Sequence, residues 1–207
     1  MSILKLAVSA DALSPQLATL LALQRAEEPE TAIQLHEVAT RDLVRGLEDG
    51  AFDIGMTLAT TATVFAMNTQ SLWADELALA VPLGSPLLAS AEVSLGTLRH
   101  HPLLRWCQGA CDALSQQVDR LFGPEERSAL EATSFELMTV LVAAGYCAAI
   151  APRSRIMLAC GWGVAMRQLA GGPYLISTQL LRPSHGAAPA VERFAERAAK
   201  ITETRPD

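Results

Sequence analysis

Residues 31–59 read TAIQLHEVATRDLVRGLEDGAFDIGMTLA. From Thr31 to Val38, apolar Ile33, Leu35 and Val38 alternate with polar neighbours, the period-two signature of a strand with one wetter face. Thr40 then reads as the cap of a helix that turns Leu43, Val44 and Leu47 inward and ends at Gly50. Phe52 to Leu58 follows as a short apolar run, the pattern of a buried strand that stops at the hydroxyl of Thr57.

Upstream the same grammar repeats. Ile3 to Val8 is an apolar strand that ends in the polar elbow Ser9-Ala10-Asp11. Ser14 is an N-cap with Pro15 in the first helical position. The helix carries Leu17, Leu20 and Leu21 on one face and closes at Glu27-Glu28-Pro29. Strand, helix, strand, helix, strand over residues 3–58 predicts a parallel sheet with helical crossovers. In such sheets ligands sit beyond the carboxyl ends of the strands, where helix N-termini also point. Ser9, Thr40 and Thr57 all fall at that rim.

Downstream, Leu77 to Leu83 reads as a strand ending in a turn-prone Pro-Leu-Gly-Ser-Pro segment, after which the pattern restarts. His101 to Trp106 is predicted as a strand and Ala113 to Phe122 as a helix, with a brief strand over residues 129–132. Thr133 with Glu136 three residues on fits a capping box for a helix that stops at Gly145. Cys147 to Ala151, Val164 to Gln168 and Tyr174 to Leu181 read as strands, and Pro189 to Ile201 as a last amphipathic helix. The pattern therefore predicts an α/β chain of two lobes with a central cleft. The expected division is 1–82 for the first part of lobe 1, 83–163 for lobe 2 and 164–207 for a return to lobe 1.

Composition narrows the function. Half of the 207 residues are hydrophobic and 18% are charged, too apolar for disorder. The net charge of −6 gives no general basic footprint for nucleic acid. No apolar run approaches the ~20 residues that span a bilayer, and a cytoplasmic chain is expected. Cys107, Cys111, Cys147 and Cys160 form no CxxC pair and are expected as reduced, mostly buried thiols. His100 and His101 are neighbours that face opposite sides of a strand, so no metal site is expected. Neither a Gly-rich phosphate loop nor a GxSxG elbow is present, which argues against a nucleotide cofactor and a serine nucleophile. No cofactor and no catalytic residue is predicted.

What remains is a set of hydroxyls, Ser9, Thr40, Thr57, Thr133 and Ser134, at strand ends and helix starts. Each can serve as a cap, and together they can hold a small polar or anionic molecule among helix N-termini. Trp106 can stack on such a ligand or pack in the core, and the sequence leaves both open.

The stretch from Ile3 to Ala59 resembles the opening of the effector-binding domain of LysR-type transcriptional regulators, above all in Leu43, Leu47, Gly50, Phe52, Asp53 and Ile54. A second segment, SFELMTVLVAAGYCAAIAPRS at 134–154, is similar to that family's Gly- and Pro-containing stretch through Val142, Ala144, Gly145, Ala149, Ile150 and Pro152. Cys147 departs from it, standing where the family more often has glycine. The resemblance implies a periplasmic-binding-protein-like (type II) fold with two Rossmann-like lobes and a small effector in the cleft. It carries effector contacts to Ser9, Ala10, Thr40, Thr133 and Ser134, with Thr57, Trp106 and Gln108 as neighbours. It also implies a homodimer or higher homo-oligomer, and DNA contact only through an N-terminal winged helix-turn-helix that this chain lacks. The expected function is ligand sensing without turnover. The alternatives are a solute-binding receptor and an enzyme of the same fold, such as a prephenate dehydratase-like catalyst.

Overall fold

The computed structural model describes residues 2–60, 63–123, 130–183 and 188–203. In chain order the strands and helices are β1 (Ser2–Ser9), α1 (Pro15–Glu27), β2 (Thr31–Val38), α2 (Thr40–Glu48), β3 (Ile54–Ala59) and β4 (Asn68–Pro82). There follow β5 (Glu92–Val93), α3 (Leu95–Leu98), β6 (Arg105–Trp106), α4 (Asp112–Phe122), β7 (Glu131–Ala132), α5 (Phe135–Ala143) and β8 (Ala149–Pro152). The chain ends with α6 (Arg153–Ala159), β9 (Val164–Leu169), β10 (Leu175–Arg182) and α7 (Pro189–Glu203). It divides into a first unit, which runs through Trp73 and resumes at Ser177, and a second unit, Ala74–Ile176.

In the first unit the strand order is β2-β1-β3-β10, with the opening half of β4 beside β10. β1 is parallel to β2 from Ser2↔Thr31 to Ser9↔Val38, and parallel to β3 from Leu6↔Ile54 to Val8↔Met56. β10 runs antiparallel to β3 and sets Gln179 opposite Thr57. Every residue of β3 is buried, as a central strand covered on both faces requires. β2 lies at the edge of the order, and there Leu35 stays 46% exposed although it sits on the alternating apolar set. Leu43 and Leu47 of α2 pack with Ala7 and Leu181. α2 can lie this close to β3 because residue 55 is glycine: a Cβ there would stand 2.5 Å from Leu43 Cδ2.

α1 starts as its sequence dictates, with the Ser14 hydroxyl accepting from the Leu17 N–H and Pro15 at the first helical position. It is fastened to α7 by a buried ionic cluster. Arg197 donates to Glu28 Oε2 and Gln24 Oε1, each at 2.8 Å, and through Nε to Glu27 Oε2. Arg193 and the Thr31 hydroxyl complete the shell of Glu28. The Arg193 hydrogen bond is the main reason that the Glu28 carboxyl is held down at about 2, against the opposing effect of burial; the Thr31 and Arg197 hydrogen bonds add to it.

In the second unit the closing half of β4, with Leu77 to Val81 buried, pairs antiparallel with β8 and β9, and β5 joins β9 in parallel. This pairing explains why the units divide at 73/74 and 176/177, where the sequence pattern had suggested 82/83 and 163/164. Strand β4 runs through the first boundary, and its apolar closing half and β9 belong to the second unit's sheet. β4 also starts at Asn68, ahead of the predicted Leu77, because its opening residues are largely polar and wet. The strand expected over His101 to Trp106 shrinks to Arg105–Trp106, paired in parallel with β7, while Leu103 makes a lone bridge to Ala148. The brief strand expected at 129–132 is Glu131–Ala132, its first residue lying outside the described residues.

Candidate functional site

Three of the predicted hydroxyls meet in the first unit. Ser9 closes β1, Thr57 lies within β3, and Thr40 opens α2. Parallel pairing of β1 and β3 brings the first two side by side, with Ser9 Oγ 3.1 Å from Thr57 Oγ1. Thr57 Oγ1 lies 3.0 Å from Thr40 Oγ1. Thr40 is not the helix cap that the sequence indicated. The cap position belongs to Ala39, whose methyl cannot cap, and the Thr40 hydroxyl instead bonds with Thr57 across the strand–helix junction.

Asp11 completes the group and was read from sequence only as part of a polar elbow. It lies in the short 3-10 turn Ala10–Ala12, is 2% exposed, and accepts a hydrogen bond from Ser9 Oγ at 2.5 Å. The signal that could have found it is an acid two residues beyond a strand-ending serine. Ser9 and Thr57 are fully buried, while Thr40 is half-buried and Ala10 lies beside them in the turn. The arrangement is a line of hydroxyls leading from a buried carboxylate to a half-buried threonine. It can bind and orient a polar group.

The other predicted residues belong to the second unit and do not form one cluster. Trp106 is a core residue: it is 2% exposed, its Nε1 donates to Ile150 O at 2.8 Å, and its ring packs against Phe135. Of the two roles left open by the sequence, the structure gives it packing. Gln108 is exposed, and its carbonyl accepts from the Cys107 thiol. Thr133 is exposed and is not the cap of α5; Ser134 takes that place and accepts from the Leu137 N–H. The register slip removes the capping box, and Glu136 instead lies 3.8 Å from Arg155.

None of the four cysteines is in a disulfide. Cys111 and Cys147 are buried as expected, but Cys107 is half-buried and Cys160 is exposed. Burial pushes the Cys147 thiol up to about 11, which makes it a poor nucleophile. Among the described residues no group of three His, Cys, Asp or Glu side chains is placed to hold a metal ion. None of their helices is long and apolar enough to cross a membrane.

Comparison with known proteins supplies the frame for this geometry. The sequence model of the LysR substrate binding domain matches residues 2–201. A comparison with curated proteins gave no match. Among solved structures, a reduced form of OxyR from N. meningitidis superposes with a TM-score of 0.84 at 18% identity, covering 99% of this chain and 96% of that one. The effector-binding domain of QuiR in complex with shikimate gives 0.84 at 15% identity, over 98% and 97%. Full-length CbnR in complex with its target DNA gives 0.82 at 20% identity, covering 97% of this chain and 71% of that chain. These likenesses establish the periplasmic-binding-protein-like type II fold, and with the match over residues 2–201 the chain belongs to the LysR substrate-binding domain family, the effector-binding domain of LysR-type transcriptional regulators.

Proposed function

We propose that this chain senses a small polar effector for a cytoplasmic LysR-type regulator, with the Ser9–Thr57–Thr40 line as its anchor in the first unit. The observation that carries this reading is the Thr40 hydroxyl, which leaves the capping role and joins two buried hydroxyls at the carboxyl ends of parallel strands. In the second unit the reading assigns effector contacts to Gln108, Thr133 and Ser134, which are accessible. The shikimate held by QuiR supports a small hydroxylated molecule as the kind of ligand to seek. DNA contact is assigned to a winged helix-turn-helix outside this chain, in keeping with the DNA-bound CbnR that the fold resembles.

The reading is of binding without turnover. A metabolite screen by thermal shift should find a stabilising compound, since a ligand at about a hundred times its Kd adds roughly 2.7 kcal/mol. Calorimetry with that compound should show Ser9→Ala and Thr40→Ala weakening binding several-fold or more, with a smaller loss for Thr57→Ala. Unchanged affinity in all three places the pocket elsewhere. Product in excess of protein would make the chain an enzyme.

A homodimer is part of the same proposal. The first unit offers a groove between α1 and β2 lined by Leu21, Pro29, Ile33 and the half-exposed Leu35, and the second unit exposes Val140, Met157, Leu158 and Trp162. Such apolar surface favours a second copy. Light scattering should give twice the chain mass at tens of micromolar protein, and a monomer mass would end this part of the proposal.

A further inference from the structure

The polar row that begins at Ser9 does not stop at β3. Side chains directly opposite in an antiparallel pair share one face of the sheet, with Cβ atoms about 5 Å apart. β10 sets Gln179 opposite Thr57 in this way. The neighbouring pair on the same face, Gly55↔Leu181, lies under α2, where Leu181 packs with Leu43 and Leu47. Gln179 therefore stands on the α2 face, one step beyond the apolar contacts of the helix, where Thr40 meets Thr57. Its amide donates to the Ser71 hydroxyl of β4 at 3.2 Å. The strand order β1-β3-β10-β4 thus lays Ser9, Thr57, Gln179 and Ser71 across four neighbouring strands, all within the first unit.

Ser9 and Thr57 are fully buried, whereas Gln179 is half-buried and Ser71 is exposed. A side-chain amide carries two N–H donors and an oxygen with two lone pairs. The bond to Ser71 uses one N–H, and the Gln179 side chain makes no other hydrogen bond among the described residues. It offers a donor and an acceptor side by side, whichever way the hydrogens of the neighbouring hydroxyls turn. We propose that Gln179 is a further contact residue for the effector, that it takes a neutral group able both to donate and to accept, such as two adjacent hydroxyls, and that Ser71 is its positioning residue. This inference rests on the reading of Ser9, Thr57 and Thr40 as the effector anchor and extends it to a residue of β10.

The surroundings favour this chemistry. Ser9, Thr57, Gln179 and Ser71 are all uncharged, so the row supplies no cation to pair with a carboxylate. A carboxylate also has only acceptors, and can meet the amide N–H but not the amide oxygen. The first N–H groups of α2 do favour an anion beside Thr40. That attraction is the same whether residue 179 is glutamine or leucine, so substitution at 179 separates the two effects. Ser71 adds preorganisation: a long side chain loses rotamer entropy when it is held, and its bond to Ser71 meets part of that cost before a ligand arrives.

The test uses two probes on one ring, cis-1,2-cyclohexanediol and cyclohexanecarboxylate, with Kd read by calorimetry on the whole chain. The diol should bind more tightly than the carboxylate. Gln179→Leu should weaken the diol about tenfold, the loss of two neutral hydrogen bonds, and leave the carboxylate nearly unchanged. Ser71→Ala lies at an exposed position and should weaken the diol by a smaller factor, because the amide keeps its groups and loses only its tether. If Gln179→Leu fails to fold, as judged by circular dichroism, Gln179→Glu takes its place; it keeps the shape, removes the donor, and should weaken both probes. A diol weakened by Thr40→Val but indifferent to the variants at 179 overturns the Gln179 proposal while the anchor reading stands. A carboxylate that binds better than the diol and is weakened as much by Gln179→Leu overturns the stated ligand chemistry. A diol that ignores Thr40→Val and the variants at 179 alike, or that fails to bind at millimolar concentration, overturns both.

Discussion

The first unit buries two polar clusters that differ in how they end. Around Glu28, carboxylate, guanidinium, amide and hydroxyl groups are partnered with one another, and the two central members, Glu28 and Arg197, are 3% and 7% exposed. The cluster is closed and joins α1 to α7. Around Asp11 the groups form a line, and one end of it, Thr40, remains half-buried. A closed cluster can only hold the fold together. An open one leaves an oxygen for something else to meet, which is why the second is the candidate site although the first contains more charge.

Breaking the closed cluster should have the largest effect on stability. Glu28→Ala removes the shared partner and leaves the buried Arg197 with Glu27 and the neutral Gln24 amide, so about 3–5 kcal/mol of stability should be lost in urea unfolding. Loss of less than about 1 kcal/mol would mean that the cluster behaves like an exposed ion pair. Acid gives an independent reading. The Glu28 carboxyl is lowered in the fold from 4.5 to about 2, so between those values the unfolded chain binds more protons. Its contribution is therefore complete above about 4.5 and lost as the pH falls toward 2. Glu28→Gln should flatten that acid limb of the stability curve. An unchanged limb would assign acid sensitivity to other carboxylates.

How much of each cluster the sequence disclosed follows from where its members lie. Ser9 stands at a strand end, Thr40 at a helix start and Thr57 in the closing half of β3, two residues short of the end, and alternation in β2, helical periodicity in α2 and the apolar run of β3 place all three without any tertiary information. Parallel pairing then brings them together, so the hydroxyl line was largely legible. Two details were not. Thr40 looked like a cap because threonine is a good one, but the helix begins one residue earlier than that choice implies, at a cap without a polar side chain. Asp11 looked like a turn residue, which it is, and only the path of the turn aims it at Ser9. The Glu28 cluster was beyond sequence reasoning altogether. Its partners are 169 residues apart, and charged residues near a helix end ordinarily face water. The polar opening of β4 and the exposed Leu35 of β2 were misjudged for a related reason, since hydropathy reports a strand's two faces and not its place in the sheet.

Geometry links the open cluster to the packing beneath it, and this link can be strained. Gly55→Ala would place a methyl 2.5 Å from Leu43 Cδ2 and push α2 off β3. Overpacking of this kind costs about 1–3 kcal/mol. Because α2 carries Thr40 and β3 carries Thr57, the same change should weaken binding of any ligand found at the site more than a distant core substitution of equal stability cost, such as Phe122→Leu. Equal losses for the two would show that the placement of α2 does not matter to the site.

Within the open cluster itself, the two threonines should separate along the line. Thr57 is fully buried with hydroxyl neighbours on both sides, so Thr57→Val strips a partner from both Ser9 and Thr40. Valine keeps the shape and the strand preference, which leaves the hydrogen bonds as the difference, and about 0.5–1.5 kcal/mol of stability should be lost. Thr40 is half-buried, and its loss takes one hydroxyl neighbour from Thr57, which keeps its contacts with Ser9 and with Leu58 O. Water can reach the vacated end, so Thr40→Val should change stability by less than about 0.5 kcal/mol. A ligand should reverse the order, because Thr40 is half-buried where Ser9 and Thr57 are fully buried. Urea unfolding and calorimetry on the same two variants therefore give opposite rankings if the line is open at Thr40. The same ranking in both would mean that Thr40 is as structural as Thr57, and that this cluster too is closed.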